Sequence, residues 1–210
     1  GTTNMANFIT TYKDEGDAAL PSPIIWGDCP VLEMIADVRG FHYFEDFTHF
    51  VGDAGAAGSQ TGPYSGHGKT GVTIKQVATA VSGVLQVAGN DADNDEGSIQ
   101  FGGATSAPVV VSDTVGSDKK LWFECRIKKE SVDANSSALF VGLAEEGLAA
   151  TGTLADNTGA LADKDFLGFS VLHDSGAEVD FTYNKDGAGG VNVHQAAIAT
   201  MTADTFVKLG

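Results

Sequence analysis

The densest cluster of side chains that could hold a metal ion is a short acidic run. Asp91, Asp93 and Asp95 alternate along it, a spacing typical of the start of a calcium-binding loop, in which carboxylate oxygens coordinate the ion. The rest of such a loop does not follow, because its sixth residue is Glu96 instead of glycine and its twelfth is Gly102 instead of glutamate. These aspartates are therefore a calcium candidate with a solvated turn as the alternative, and no other cofactor is predicted.

A second acidic pattern begins at Glu178 and Asp180. In sandwich glycosidases, alternate residues of one strand carry the carboxyl groups that act as nucleophile and acid/base. A second glutamate would be needed two or three residues after Asp180, but those positions hold Thr182 and Tyr183. The pattern therefore predicts no enzyme, unless a distant strand supplies the missing carboxylate opposite Glu178.

The remaining polar motifs indicate no nucleophile and no phosphate site. The five histidines are scattered without metal-binding spacing. Lys69 and Thr70 resemble the end of a P-loop, but the first glycine of that motif is replaced by Pro63. Cys29 and Cys125 lie far apart outside any Cys-x-x-Cys motif, so we expect two buried thiols.

The charge of the chain narrows the class of partner. Its 210 residues include 12 Lys and Arg against 28 Asp and Glu, a net charge of −16. Because phosphate backbones repel such a chain, nucleic acid is not an expected partner, whereas a basic protein surface, a divalent cation or a neutral ligand is. No apolar run approaches the roughly 18 residues of a membrane span, and residues 1–7 lack the features of a secretion signal, which predicts synthesis in a cytoplasm.

Short strands must position any site in this chain. The 27 glycines punctuate runs rich in Val, Ile, Phe and Thr, which is typical of an all-β protein with tight turns. The predicted strands are residues 41–48, 72–77, 83–87, 98–101, 108–111, 120–129, 138–144, 166–173, 179–184, 191–195 and 205–209. Residues 52–71 are predicted to form a long flexible loop. We expect a two-sheet antiparallel jelly-roll sandwich over residues 41–210, whose last strand either continues past residue 210 or is completed by a partner.

Two strands show clear alternation of side chains. In the first, Phe41, Tyr43, Glu45 and Phe47 share one face, which predicts an aromatic face toward the core. In residues 121–128, the inward positions are predicted to be Leu121, Phe123, Cys125 and Ile127. This second strand is expected to be central in its sheet.

Residues 1–40 differ from the strands because isolated apolar anchors are separated by polar and proline-bearing stretches. This pattern predicts an extended N-terminal arm with a short helix at residues 30–39. The arm either docks on another subunit or packs along its own domain. Its predicted partner-binding residues are Phe8, Tyr12, Ile24, Ile25 and Trp26.

Six ordered blocks carry a resemblance to a known family. They are residues 41–47, 82–85, 93–96, 121–128, 140–145 and 166–169. In this order they resemble the concanavalin A-like (LamG-like) jelly-roll proteins of tailed-phage virions. The resemblance covers residues 41–210, and the arm lies outside it.

The resemblance implies a structural role in the virion instead of catalysis. It predicts a capsid decoration (cement) protein, made in the host cytoplasm, that forms homo-oligomers and contacts the major capsid protein. The alternative is a carbohydrate-binding module of a tail fibre or secreted protein, with glycans held by exposed aromatic rings such as Trp122 or Tyr183. An aromatic platform with affinity for glycans would favour the second reading, and oligomers with a protease-sensitive arm would favour the first.

Overall fold

A computed structural model describes a set of segments that together carry two packed regions. These are residues 43–48, 60–61, 63–68, 71–78, 80, 83–89, 95–102, 108–109, 121–134, 136–147, 154, 162–185 and 193–210. All regular structure in these segments is β-strand, in several antiparallel sheets, so the all-β prediction is confirmed and the architecture is consistent with a β-sandwich. The predicted arm and its helix at residues 30–39 lie outside the described residues.

The strands are short, as the spacing of turn residues predicts. They are β1 (Gln60–Thr61), β2 (Tyr64–Gly68), β3 (Thr73–Gln76), β4 (Leu85–Ala88), β5 (Gly97–Phe101), β6 (Cys125–Ile127), β7 (Leu139–Ala144), β8 (Phe166–Val171), β9 (Glu178–Asn184), β10 (Val193–Thr200) and β11 (Val207–Leu209). In the described segments these strands form four sheets, with the strand orders β1-β2-β5, β3-β4, β10-β9-β8-β7 and β11-β6.

The second half of the chain builds a two-layer core. Strands β7 to β10 form an antiparallel meander, and alternate residues such as Phe169 and Val179 point from it toward the β6–β11 ladder. Phe123 and Cys125 pack on this cluster from the opposite side. We call this cluster the second core; its buried members are Phe169, Val171, Val179, Met201 and Leu209.

The first half of the chain builds a smaller core, which we call the first core. Its buried members are Tyr64, Val72 and Ile74, and Phe47 and Phe101 are among the partly buried residues that pack on them. Strands β2 and β3 carry Tyr64 and Ile74 into this cluster.

The strand predicted at residues 41–48 is wrong over residues 43–48, which are irregular. Phe47 adopts a φ of +57°, a left-handed conformation that no extended strand contains. The predicted face holds for Phe47, which packs on the first core, whereas Tyr43 is 41% exposed and Phe41 lies outside the described residues. Side-chain hydrogen bonds, described below, replace the ladder.

The loop predicted at residues 52–71 is also wrong, since β1 and β2 lie within it and β2 pairs with β5. Glycine at alternate positions of β2 made this segment resemble a loop. The buried Tyr64 ring supplies the packing that the glycines lack.

The prediction for residues 121–128 is correct for Phe123, Cys125 and Ile127, which face the second core. Leu121, by contrast, is 41% exposed. Within the part of the chain that the structure describes, β6 pairs only with β11, so it is not central. Through this pairing, β11 has a partner strand in the same chain. Residues 108–109, the described part of the strand predicted at 108–111, are not in a strand.

Candidate functional site

Most of the residues predicted to bind a partner or calcium lie outside the described segments. This holds for Phe8, Tyr12, Ile24, Ile25 and Trp26, and for Asp91 and Asp93. Asp95 is described and is partly buried at the start of the segment that leads into β5. Among the described residues, no three His, Cys, Asp or Glu side chains come together as a metal site.

The structure brings together a carboxylate and two phenols, which we call the tyrosine cluster. The Glu45 carboxylate accepts hydrogen bonds from Tyr43 Oη at 3.0 Å and from Tyr64 Oη at 2.8 Å, and the two phenol oxygens also contact each other. The Tyr43 ring stacks on Phe101 with 4.0 Å between ring centroids. Segment 43–48 is thereby attached to β2 and β5.

The electrostatics of this cluster keep both phenols protonated. Burial raises the pKa of Tyr64, and the hydrogen bonds to Tyr43 and Glu45 raise it further. Burial is also the largest cause of the raised pKa of Tyr43. A phenol that holds its proton this strongly is a hydrogen-bond donor and a poor general base, so the geometry favours a structural role for the cluster.

The backbone around Glu45 is held by further polar contacts. Glu45 Oε1 accepts a hydrogen bond from the Phe47 amide at 2.6 Å, and Gln76 Nε2 donates to the Phe47 carbonyl at 2.9 Å. Gly83, at a φ of +58°, lies so close to the Asp46 carbonyl oxygen that a Cβ atom there would overlap it. These contacts can form only because the backbone of residues 43–48 is irregular.

The face of the β6–β11 ladder that is turned away from the second core carries several partly buried cations. Arg126 pairs directly with Lys208 across the ladder, and the Arg126 guanidinium lies 4.5 Å from the centroid of the Phe206 ring. Lys128 reaches the same ring at 5.6 Å and forms an ion pair with Asp204 at 3.1 Å. Cation–π contacts and this ion pair offset the repulsion between the neighbouring positive charges.

Lys129 is a buried amine that connects three loops. Its side chain is 6% exposed, and Nζ donates hydrogen bonds to Ser136 Oγ at 3.0 Å and to the Gly176 carbonyl at 3.4 Å. Its own carbonyl accepts from the Asp204 amide at 2.8 Å. Burial lowers the pKa of Lys129, because desolvation disfavours the charged form of the amine.

Cys125 is a free, partly buried thiol on the inner face of β6, where a buried thiol was expected. Burial, with a smaller contribution from the negative charge of Glu124, raises the pKa of Cys125 to about 12. Because the thiolate is the reactive form, the native thiol is a packing group and a weak nucleophile. Cys29 lies outside the described residues.

The structure places the two carboxylates of the acidic pair in different environments. Glu178 is exposed, whereas Asp180 is 8% exposed and accepts a hydrogen bond from the Ala197 amide at 2.8 Å. Ala197 has a φ of +51° in a bulge of β10, so the Asp180 carboxylate stabilises an irregular edge of the sheet.

Alternation of the strands explains a polar face that the sequence reading missed. The face of the meander turned away from the second core carries buried polar side chains, which we call the polar row: Ser170, Asp180, Thr182 and Asn184. The signal in the sequence is the alternation of polar and apolar residues in residues 178–184.

Comparison with known proteins adds no relative. No protein-family model, no curated protein and no solved structure matches this sequence. In the described segments, no helix has the length and hydropathy needed to cross a membrane.

Proposed function

We propose that this chain is a structural protein of a tailed-phage virion, a decoration protein that binds the capsid shell. Its partners would be the major capsid protein and copies of itself, and its β-strands would follow a concanavalin A-like jelly roll with residues 1–40 as the arm. The observation that carries the proposal is the packing of the sequence blocks on which the family resemblance rests.

Three of these blocks contribute to a single core. The block at residues 121–128 places Phe123 and Cys125 on the second core, the block at 140–145 contributes Val141, and the block at 166–169 contributes Phe169. The Phe123 and Phe169 rings stack across the two layers with centroids 6.2 Å apart. Blocks that are distant in sequence therefore pack in one core. This supports the interpretation that their order reflects a single shared fold.

Charge supports a shell-binding role without defining the partner. A chain with a net charge of −16 is attracted to a basic protein surface, and the attraction weakens as salt is added. Apolar anchors spread along an arm would add contact area that salt does not screen. Binding to a shell should therefore be weakened but not abolished by salt.

The test uses light scattering and capsid co-sedimentation. The full chain is compared with a variant in which the five anchors Phe8, Tyr12, Ile24, Ile25 and Trp26 are changed to alanine, and with a control variant carrying Thr10→Ala and Thr11→Ala. Each protein is measured alone and mixed with capsids assembled without it. We expect oligomers or capsid binding for the full chain and the control, and loss of both for the anchor variant.

A wild-type chain that stays monomeric and ignores capsids would contradict the proposal. If the anchor variant binds as well as the control, the arm is not the contact and that part of the proposal fails.

One observation favours the second candidate, a carbohydrate-binding module. Tyr183 is 47% exposed at the end of β9, and half-exposed rings of this kind stack on sugars. The test is a glycan array with the wild type and Tyr183→Ala, and Phe44→Ala is the control because Phe44 is exposed in the other half of the chain. Glycan binding that is lost only in Tyr183→Ala would favour this candidate.

A further inference from the structure

The polar row lies inside the molecule, although polar side chains on one sheet face are usually solvated. Ser170 and Thr182 are each 1% exposed, Asn184 is 7% exposed and Asp180 is 8% exposed. All four project from the central strands β8 and β9, on the face opposite the second core. Both faces of these two strands are therefore buried.

Three atoms of the row have no hydrogen-bond partner among the residues that the structure describes. They are Ser170 Oγ, Thr182 Oγ1 and Asn184 Oδ1, and each is shielded from solvent. The other polar groups of the row are satisfied: Asn184 Nδ2 donates to Asp163 Oδ1 and to the Lys164 carbonyl, both at 3.0 Å, and Asp180 accepts from Ala197. Leaving a buried polar group unsatisfied costs about 1–3 kcal/mol, so we expect each of the three atoms to have a hydrogen-bond partner.

The strand register shows how one small molecule could satisfy two of them. Ser170 lies directly opposite Asp180, and Thr182 lies directly opposite Gly168, so the two hydroxyls are diagonal neighbours on adjacent strands. Gly168 offers no side chain to Thr182. The nearest side-chain atom to the position of a Cβ there is Cζ of the Phe140 ring, at 3.1 Å, and an aromatic carbon is no hydrogen-bond partner for a hydroxyl.

We propose that the polar row is a buried hydration site, in which one ordered water bridges Ser170 Oγ and Thr182 Oγ1 and a second donates to Asn184 Oδ1. A water with two hydrogen bonds of about 2.8 Å spans roughly 5 Å between its partners, which suits a diagonal pair of short side chains. Water both donates and accepts, as a pair of hydroxyls requires, and it is small enough for atoms that have no contact with solvent. This inference does not depend on the proposed function.

The first test compares urea midpoints of the full chain with Thr182→Val and Ser170→Ala. Each substitution keeps the shape of the side chain and removes a hydroxyl. If the hydroxyls share a water, each single variant has a lower urea midpoint than the wild type. The decrease in the double variant is then smaller than the sum of the two single decreases. Thr200→Val is the control, because Thr200 is exposed on β10, and its midpoint should stay near that of the wild type.

A higher or unchanged midpoint for Thr182→Val would overturn the proposal, because it would mean that the hydroxyl gains nothing in the folded state. The second test counts long-lived internal waters by oxygen-17 magnetic relaxation dispersion. We expect at least one fewer in the double variant than in the wild type and in Thr200→Val. A lower midpoint without a lost water would show that the protein itself satisfies the hydroxyls, and this also would overturn the proposal.

Discussion

The first and second cores are held together by different interactions. In the second core, Phe169 and Val179 alternate with outward residues along regular strands, and the opposing ladder contributes Phe123 and Cys125 by the same rule. In the first core, the irregular segment 43–48 is joined to the strands through hydrogen bonds to one carboxylate and through stacked rings.

The difference shows where stability resides in each half. Apolar burial along regular strands is distributed over many residues and is insensitive to pH. The tyrosine cluster concentrates its interactions in the Glu45 carboxylate, so removal of one donor or loss of one proton acts on the whole segment. The following predictions test this contrast.

The largest effect is expected for Phe169→Ala in the second core. Phe169 is 5% exposed and contacts the rings of Phe123 and Phe181, so truncation removes buried area and leaves a cavity. The free energy of unfolding should fall by about 3–5 kcal/mol. Denaturant unfolding measures this, with the exposed Phe44→Ala as control, which should change it by less than about 0.5 kcal/mol. Equal losses in the two variants would contradict the assignment of the second core.

Tyr64→Phe tests the tyrosine cluster with a smaller change. It keeps the buried ring and removes the hydroxyl that donates to Glu45, a hydrogen bond to a charged group. We expect the free energy of unfolding to fall by about 1.5–3 kcal/mol. Tyr183→Phe is the matched control, because the Tyr183 side chain is half exposed, and it should be nearly neutral. A loss no greater than that of the control would show that the cluster contributes little.

Alkaline pH should weaken the tyrosine cluster selectively. The pKa of Tyr64 is raised in the folded state, so the unfolded chain releases its phenolic proton near pH 10 while the folded chain retains it. Rising pH above 10 therefore favours unfolding, by at most about 1.4 kcal/mol per pH unit for one proton. The measurement is the difference in unfolding free energy between the wild type and Tyr64→Phe from pH 8 to 11. A difference that stays constant would argue against the raised pKa.

Lys129, in the second half of the chain, should give a pH dependence of stability opposite in sign to that of Tyr64. It is the smallest effect predicted here. Burial lowers the pKa of Lys129, so between its folded pKa and the ordinary value of 10.5 the unfolded state binds more protons and stability rises with pH. The slope is below about 1.4 kcal/mol per pH unit. Lys129→Met should remove it, whereas Lys128→Met, at a partly exposed ion pair, should not. If both variants keep the slope of the wild type, Lys129 is not its source.

Alternation of side chains correctly predicted the inward residues of the strands that are held by apolar packing. The alternation correctly predicts that Phe123, Cys125 and Ile127 face the core, and the strands β7, β8 and β9 lie within one or two residues of the predicted ranges. The tyrosine cluster could not be predicted in the same way. Tyr64 lies 19 residues from Glu45 and 21 from Tyr43, and residues 43–48 do not form the strand that the alternation predicts. The polar row was missed because burial of both faces of β8 and β9 depends on what packs over them.

The sequence by itself determined the strand character of this protein and the inward residues of its regular strands, because both follow from a period of two along the chain. Only the tertiary structure decided which strands pair, as β2 does with β5 and β6 with β11, because those pairings depend on contacts between distant residues. It also decided that Tyr64 and Lys129 titrate abnormally. Desolvation depends on the neighbours that surround a group, and no local pattern specifies them.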